Sequence, residues 1–259
     1  MPHVETACVS LYYEDTGSAA LPVLLLHELG GTSESWREVM ALLAPTHRVL
    51  AMDYRCAGRS EKPAAPFALE ALADDAAAVI AHAGMGPVVV AGAALGSLVG
   101  VLLAGRHPAL VRSLALFAIS DEMSGRTAAY MTERAARVRA EGMRPVMDAS
   151  LANAFPEPFA AARTRYRSIY LANNPAGYAS LSLALAGARL EQAVWDAVLV
   201  PTLVVSGARD FIWPPELGRR AAGRIAGARF AVLDEAGHFP HLQTPADVAA
   251  MVAARAGVL

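Results

Sequence analysis

Residues 92–96 read Gly92-Ala93-Ala94-Leu95-Gly96, set between an apolar, β-branched run at 88–91 and an apolar helical continuation at 98–104. Glycines flanking a junction of this kind specify a sharp strand-to-helix turn. They let the backbone bend while the central side chain projects outward. Such a turn belongs to a strand that hands over to a crossover helix, the repeating unit of a parallel sheet. The central residue here is Ala94, whose methyl carries no heteroatom and cannot attack an electrophile.

The rest of the chain repeats the alternation. The continuous apolar run at 21–27 ends in Gly30-Gly31 and reads as a strand buried on both faces. Ser33 is the expected N-cap of a helical stretch at 36–43. Residues 48–53 read as the next strand and 69–82 as an amphipathic helix, while 114–119, 202–206 and 230–233 read as further buried strands. Between 123 and 195 the strand signal disappears. That stretch is helical in pattern, carries nine arginines, and is cut into short helices by Pro145, Pro156, Pro158 and Pro175. The expected architecture is an α/β core at 1–122 and 196–259, with a mainly parallel sheet flanked by helices, and a helical lid at 123–195. The lid is expected over the C-terminal strand ends, where open α/β sheets bind ligands.

Composition narrows the function. With 259 residues, 55% hydrophobic, the chain can bury a large core as one domain or two. A net charge of −2 leaves no basic footprint for nucleic acid or an anionic membrane. No apolar run reaches spanning length and residues 1–10 lack a signal pattern, so the expectation is cytoplasmic. Cys8 and Cys56 fit neither a disulfide framework nor a zinc spacing.

Four motifs follow one another in a telling order. His27-Glu28-Leu29-Gly30-Gly31 follows a strand and resembles an H-G-x-G-G loop. The run Asp53 to Ser60, read D-Y-R-C-A-G-R-S, resembles D-x-R-G-x-G-x-S. The turn at 92–96 is third. Asp210 and then His238, in Gly237-His238-Phe239-Pro240, complete the series. The order of nucleophile position, acid and histidine is that of the α/β-hydrolase superfamily. On these motifs, which span nearly the whole chain, the sequence is identified as a member of it, similar to compact lidded enzymes of the 3-oxoadipate enol-lactonase kind. That resemblance implies His238 as general base, Asp210 as its orienting acid, and the backbone N–H groups of Leu29 and Leu95 as an oxyanion hole. Neither donor depends on its side chain, so alanine at 94 leaves them in place. Asp121 is a second candidate acid, with helix capping the preferred reading. Ser97 reads as core, Cys56 as a small packing residue, and His241 as a neighbour of the site.

Ala94 has two explanations: an engineered serine knockout, or a natural branch without the serine. The other departures favour the second. Glu28 and Cys56 stand where the family has glycine, Ala93 replaces a bulky side chain, and Gly92 to Ser97 resembles the G-H-A-L-G-A elbow of aminoacrylate-hydrolase-like proteins. Glu28 resembles the carboxylate of the Q-E-I-F-G loop in dienelactone hydrolases. If it points the same way it faces Ala94 and, with His238, polarises a water for direct attack; otherwise it satisfies loop amides. Most lid arginines read as a solvated face with i,i+4 support such as Glu133 with Arg137. Arg139, Arg144 and Arg165 are the candidates to clamp a substrate carboxylate.

The expectation is a cofactor-free hydrolase of a small, carboxylate-bearing ester, enol-lactone or imine-like metabolite. It needs no metal, binds neither nucleic acid nor membrane, and leaves a homodimer open. The alternatives are a lyase, decarboxylase or isomerase on the same frame, and a silent small-ligand receptor.

Overall fold

The computed structural model describes residues 3–17 and 21–257; the extreme ends of the expected core segments, 1–2 and 258–259, lie outside them. Eight strands form one sheet: β1 (His3–Glu5), β2 (Ser10–Asp15), β3 (Leu21–Leu26), β4 (His47–Met52), β5 (Val88–Ala93), β6 (Val111–Phe117), β7 (Thr202–Gly207) and β8 (Arg229–Leu233), in the order β1-β2-β4-β3-β5-β6-β7-β8. β2 pairs antiparallel with both β1 and β4, while β4, β3, β5, β6, β7 and β8 run parallel to one another. The helices are α1 (Arg37–Leu43), α2 (Glu70–His82), α3 (Leu95–Arg106), α4 (Gly125–Glu141), α5 (Arg144–Ala154), α6 (Ala160–Leu171), α7 (Pro175–Ala186), α8 (Gln192–Asp196), α9 (Pro215–Arg224), α10 (Pro240–Gln243) and α11 (Pro245–Ala256).

The apolar strands are explained by what covers them. In β3, Val23 and Leu25 join one core with Trp36, Val39, Val248 and Val252, while Leu24 and Leu26 join the other with Leu98, Leu102 and Val79. Successive side chains of a strand point to opposite faces, so a strand covered on both faces must be apolar at every position. The stretch at 123–195 is helical among the described residues, as expected, and its prolines fall at the starts of α5 and α7 and between α5 and α6.

Several local expectations need correction. Thr32, rather than Ser33, caps the 3-10 turn Ser33–Trp36 that precedes α1, accepting from the N–H of Glu34 at 3.2 Å; the Ser33 N–H is taken by Asp53 Oδ1 at 2.7 Å. β8 is half exposed rather than buried, because it is the edge of the sheet. Arg137 pairs with Glu141 instead of Glu133, at 3.4 Å on exposed helix surface.

Candidate active site

Elbow geometry survives without a nucleophile. Ala94 sits between the end of β5 and the start of α3 at φ 49° and ψ −108°, a conformation that L-residues rarely adopt. Backbone contacts enforce it. A Cβ on Gly92 would lie 2.3 Å from the carbonyl oxygen of Gly96, and one on Gly96 would lie 2.1 Å from that of Leu26. The Ala94 N–H donates to Phe117 O at 2.9 Å. Ser97 donates to Gly92 O and Phe117 O, both at 2.8 Å, so this buried hydroxyl braces the turn and is no displaced nucleophile.

A cavity of about 800 Å³ opens against the elbow, bordered by Ala94, Leu95, Leu29 and His238 and roofed by side chains of α4 to α7. His238 Nδ1 donates to Asp210 Oδ2 at 2.8 Å, both side chains being buried. The other Asp210 oxygen accepts the N–H groups of Ile212 and Trp213, each at 2.8 Å. With Nδ1 committed as donor, Nε2 is left as the basic nitrogen. Trp213 and Phe239 pack on the imidazole at ring separations of 5.3 and 4.8 Å and fix its plane.

The loop opposite is held by its own sequence. Tyr166 donates to Leu29 O at 3.1 Å and Asn173 to Gly30 O at 2.8 Å. Gly30 adopts φ 86°, where a Cβ would press within 2.8 Å of the Tyr170 ring. Neither the Leu29 nor the Leu95 amide donates to another group among the described residues. His27 is wholly buried, which lowers its pKa, and it donates to Glu28 O while accepting from the Tyr54 N–H. It holds the loop and takes no part in the cavity.

Glu28 does not face Ala94. Its carboxylate turns beneath the loop, accepts from Ser35 Oγ at 2.8 Å and pairs with His241 Nε2 at 3.0 Å, with both side chains fully enclosed. A Cβ on Gly31 would fall 2.2 Å from Glu28 Oε1, so the second loop glycine makes room for this carboxylate. Burial pushes the Glu28 carboxyl up, but the neighbouring His241 outweighs it and holds the pKa below the usual value. The expectation that Glu28 polarises a water beside Ala94 is therefore corrected: the carboxylate is a structural partner of His241, whose ring lies 4.5 Å from that of Trp36.

Other candidates are placed as plainly. Asp121 neither orients His238 nor caps a helix: it receives Arg220 and Arg224, and Ser124 caps α4. Cys56 adopts φ 71° with its thiol pushed up by burial, consistent with packing. Arg139 and Arg144 are exposed, Arg165 pairs with Glu38 on the surface, and none of the three borders the cavity. The arginine that does is Arg134, with Tyr130, Ser150, Tyr170 and Tyr178 around it. Sequence carried a signal for it, since Met131, Ala135 and Val138 form the inward stripe of α4 and Arg134 lies on it.

Comparison with known proteins identifies the family and the fold. The family model described as alpha/beta hydrolase fold matches residues 22–245. A pimeloyl-[acyl-carrier protein] methyl ester esterase from Neisseria meningitidis is 30% identical over 243 residues, covering 86% of this chain and 89% of that protein. Among solved structures, the malate-bound thermophilic esterase from Thermogutta terrifontis superposes with a TM-score of 0.92 at 27% identity, covering 98% of this chain and 97% of that one. The enol-lactonase from Burkholderia xenovorans LB400 does so with 0.91 at 28% identity, covering 98% and 99%.

Proposed function

The chain belongs to the alpha/beta hydrolase fold family, and from that premise we propose that it hydrolyses a small, carboxylate-bearing ester, enol-lactone or imine-like metabolite by direct attack of water. The observation that carries this reading is the convergence of His238, Ala94 and the Leu29 and Leu95 backbones on one cavity, with the elbow held in its strained form. Water positioned against the Ala94 methyl gives a proton to His238 Nε2 and bonds to the carbonyl carbon. The N–H groups of Leu29 and Leu95 receive the developing oxyanion, each worth about 3 kcal/mol in comparable sites. As the tetrahedral species collapses, the bond to the leaving oxygen breaks and that oxygen takes the proton back from the imidazolium. Asp210 stabilises the imidazolium and keeps Nε2 toward the cavity.

Glu28 has no part in this scheme, and a lyase or isomerase that used it as a second titrating group loses that group to His241. Ala94 is read as native. Glu28 and Cys56 both stand where the family has glycine, and Glu28 is built into a buried pair with His241, departures that one exchange at position 94 would not bring. The substrate class is supported by the esterase and enol-lactonase named above and by the malate carried by one of them.

Steady-state hydrolysis of phenyl acetate by the wild-type chain and by His238→Ala tests the proposal. Loss of the base should cost about 100- to 10,000-fold. A wild-type rate no faster than buffer, or a His238→Ala rate equal to wild type, overturns it; unchanged ligand binding without turnover would then favour the receptor.

A further inference from the structure

Arg134, partly buried with its Nε enclosed, is the one such charge on the cavity wall that lacks an acidic partner among the described residues. The others are compensated or solvated: His238 is held by Asp210, Glu122 by Arg220, and Arg126 is exposed. Three of the five guanidinium N–H donors find partners, and every partner is a neutral hydroxyl: Tyr130, Ser150 and Tyr170. Nε is enclosed with no partner at all. The rings of Tyr178, Tyr130 and Tyr170 lie 5.5, 5.8 and 6.0 Å from the guanidinium carbon, which eases the desolvation of the cation without neutralising it. Burial works against the charge, while the surrounding Tyr178, Tyr170 and Tyr130 hold the side chain above its ordinary basicity.

Retaining such a group needs a reason, since a partly desolvated cation with no acidic partner and an enclosed, unpaired N–H costs the fold stability. The hydroxyl collar also fixes its position: Ser150 and Tyr170 accept from the same nitrogen, from α5 and α6, and Tyr170 in turn donates to the Tyr178 hydroxyl of α7 at 3.1 Å. A guanidinium held in one plane, with one Nη1 hydrogen open and the others on neutral hydroxyls that a carboxylate can displace, matches a carboxylate.

We propose that Arg134, collared by Ser150 and Tyr170, is the subsite that binds the free carboxylate of the substrate at the end remote from the bond cleaved beside Ala94. The inference rests on the hydrolase reading for the identity of the ligand as substrate, but not for the binding itself. It assigns to one residue of α4 the clamp that Arg139, Arg144 and Arg165 do not provide, and it makes the enzyme selective for half-esters of diacids over neutral diesters.

Calorimetric titration with the monomethyl esters of succinic to suberic acid, beside the matching dimethyl esters, tests it on the whole chain, with His238→Ala as the background so that no probe is consumed. Charge-assisted hydrogen bonds of this kind correspond to a preference of about 10- to 100-fold for the half-ester. Arg134→Gln should abolish that preference while leaving diester affinity unchanged, and Arg134→Lys, which keeps the charge but loses the planar fork, should retain part of it. Equal affinities in the wild-type cavity, a preference that survives Arg134→Gln, or no binding of either series overturns the subsite. Half-ester preference without turnover in the wild-type chain would instead overturn the hydrolase reading and leave the subsite standing.

Discussion

Replacing Glu28 separates the two roles that its position allows. In the structure its carboxylate is fully enclosed, bonded to Ser35 Oγ and His241 Nε2 at 2.8 and 3.0 Å. Glu28→Ala strands His241 without its partner, and breaking a buried pair in this way costs about 3–5 kcal/mol. For a chain of this size each kcal/mol lowers Tm by about 2–4 °C, so calorimetry or circular dichroism should show a fall of about 6–20 °C. The pH dependence adds a sign. The folded carboxyl titrates below the ordinary value of 4.5, held there by His241 against the effect of burial. Its contribution is therefore complete above that value and disappears as the pH falls through the folded pKa. The stability gap between wild type and Glu28→Gln should shrink as the pH falls below 4.5. Turnover by whatever fraction of Glu28→Gln remains folded should keep the wild-type pH profile. A variant that melts like wild type but has lost its activity would refute the structural role and return Glu28 to the chemistry.

Two further substitutions probe the elbow and the base. Gly96→Ala drives a methyl to 2.1 Å from the Leu26 carbonyl oxygen and should cost about 1–3 kcal/mol or more, whereas Gly125→Ala, with nothing within 4 Å, should be neutral or mildly stabilising; urea titration of both compares them directly. In Asp210→Asn the amide oxygen stays on the Ile212 and Trp213 N–H groups, so the NH2 faces His238 Nδ1 and forces the proton to Nε2. Turnover should fall about 100- to 10,000-fold with little change in Tm.

The fold was legible because its signals are local and repeated. Apolar runs at 21–27, 88–91 and 202–206 read as strands covered on both faces, and the loss of that signal after 123 marked the helical stretch. His238 and Asp210 were legible as motif positions in a fixed order. Glu28 was not, because its direction depends on His241, more than two hundred residues away, and on the room left by Gly31. Arg134 was passed over among the other arginines of α4 to α6 although the stripe of Met131, Ala135 and Val138 marks its helix face, because that stripe says which face turns inward but not that a cavity lies there. Asp121 was misjudged for a related reason: its partners, Arg220 and Arg224, arrive from α9.

The central claim is that water, rather than any side chain, attacks the substrate beside Ala94. Rapid mixing of the wild-type chain with p-nitrophenyl acetate, followed by intact-mass analysis of the protein during turnover, tests it directly. Direct attack by water gives linear product release from the first turnover and no acetyl adduct, with a burst and an adduct appearing only in Ala94→Ser. A stoichiometric burst with an acetylated wild-type protein would contradict it.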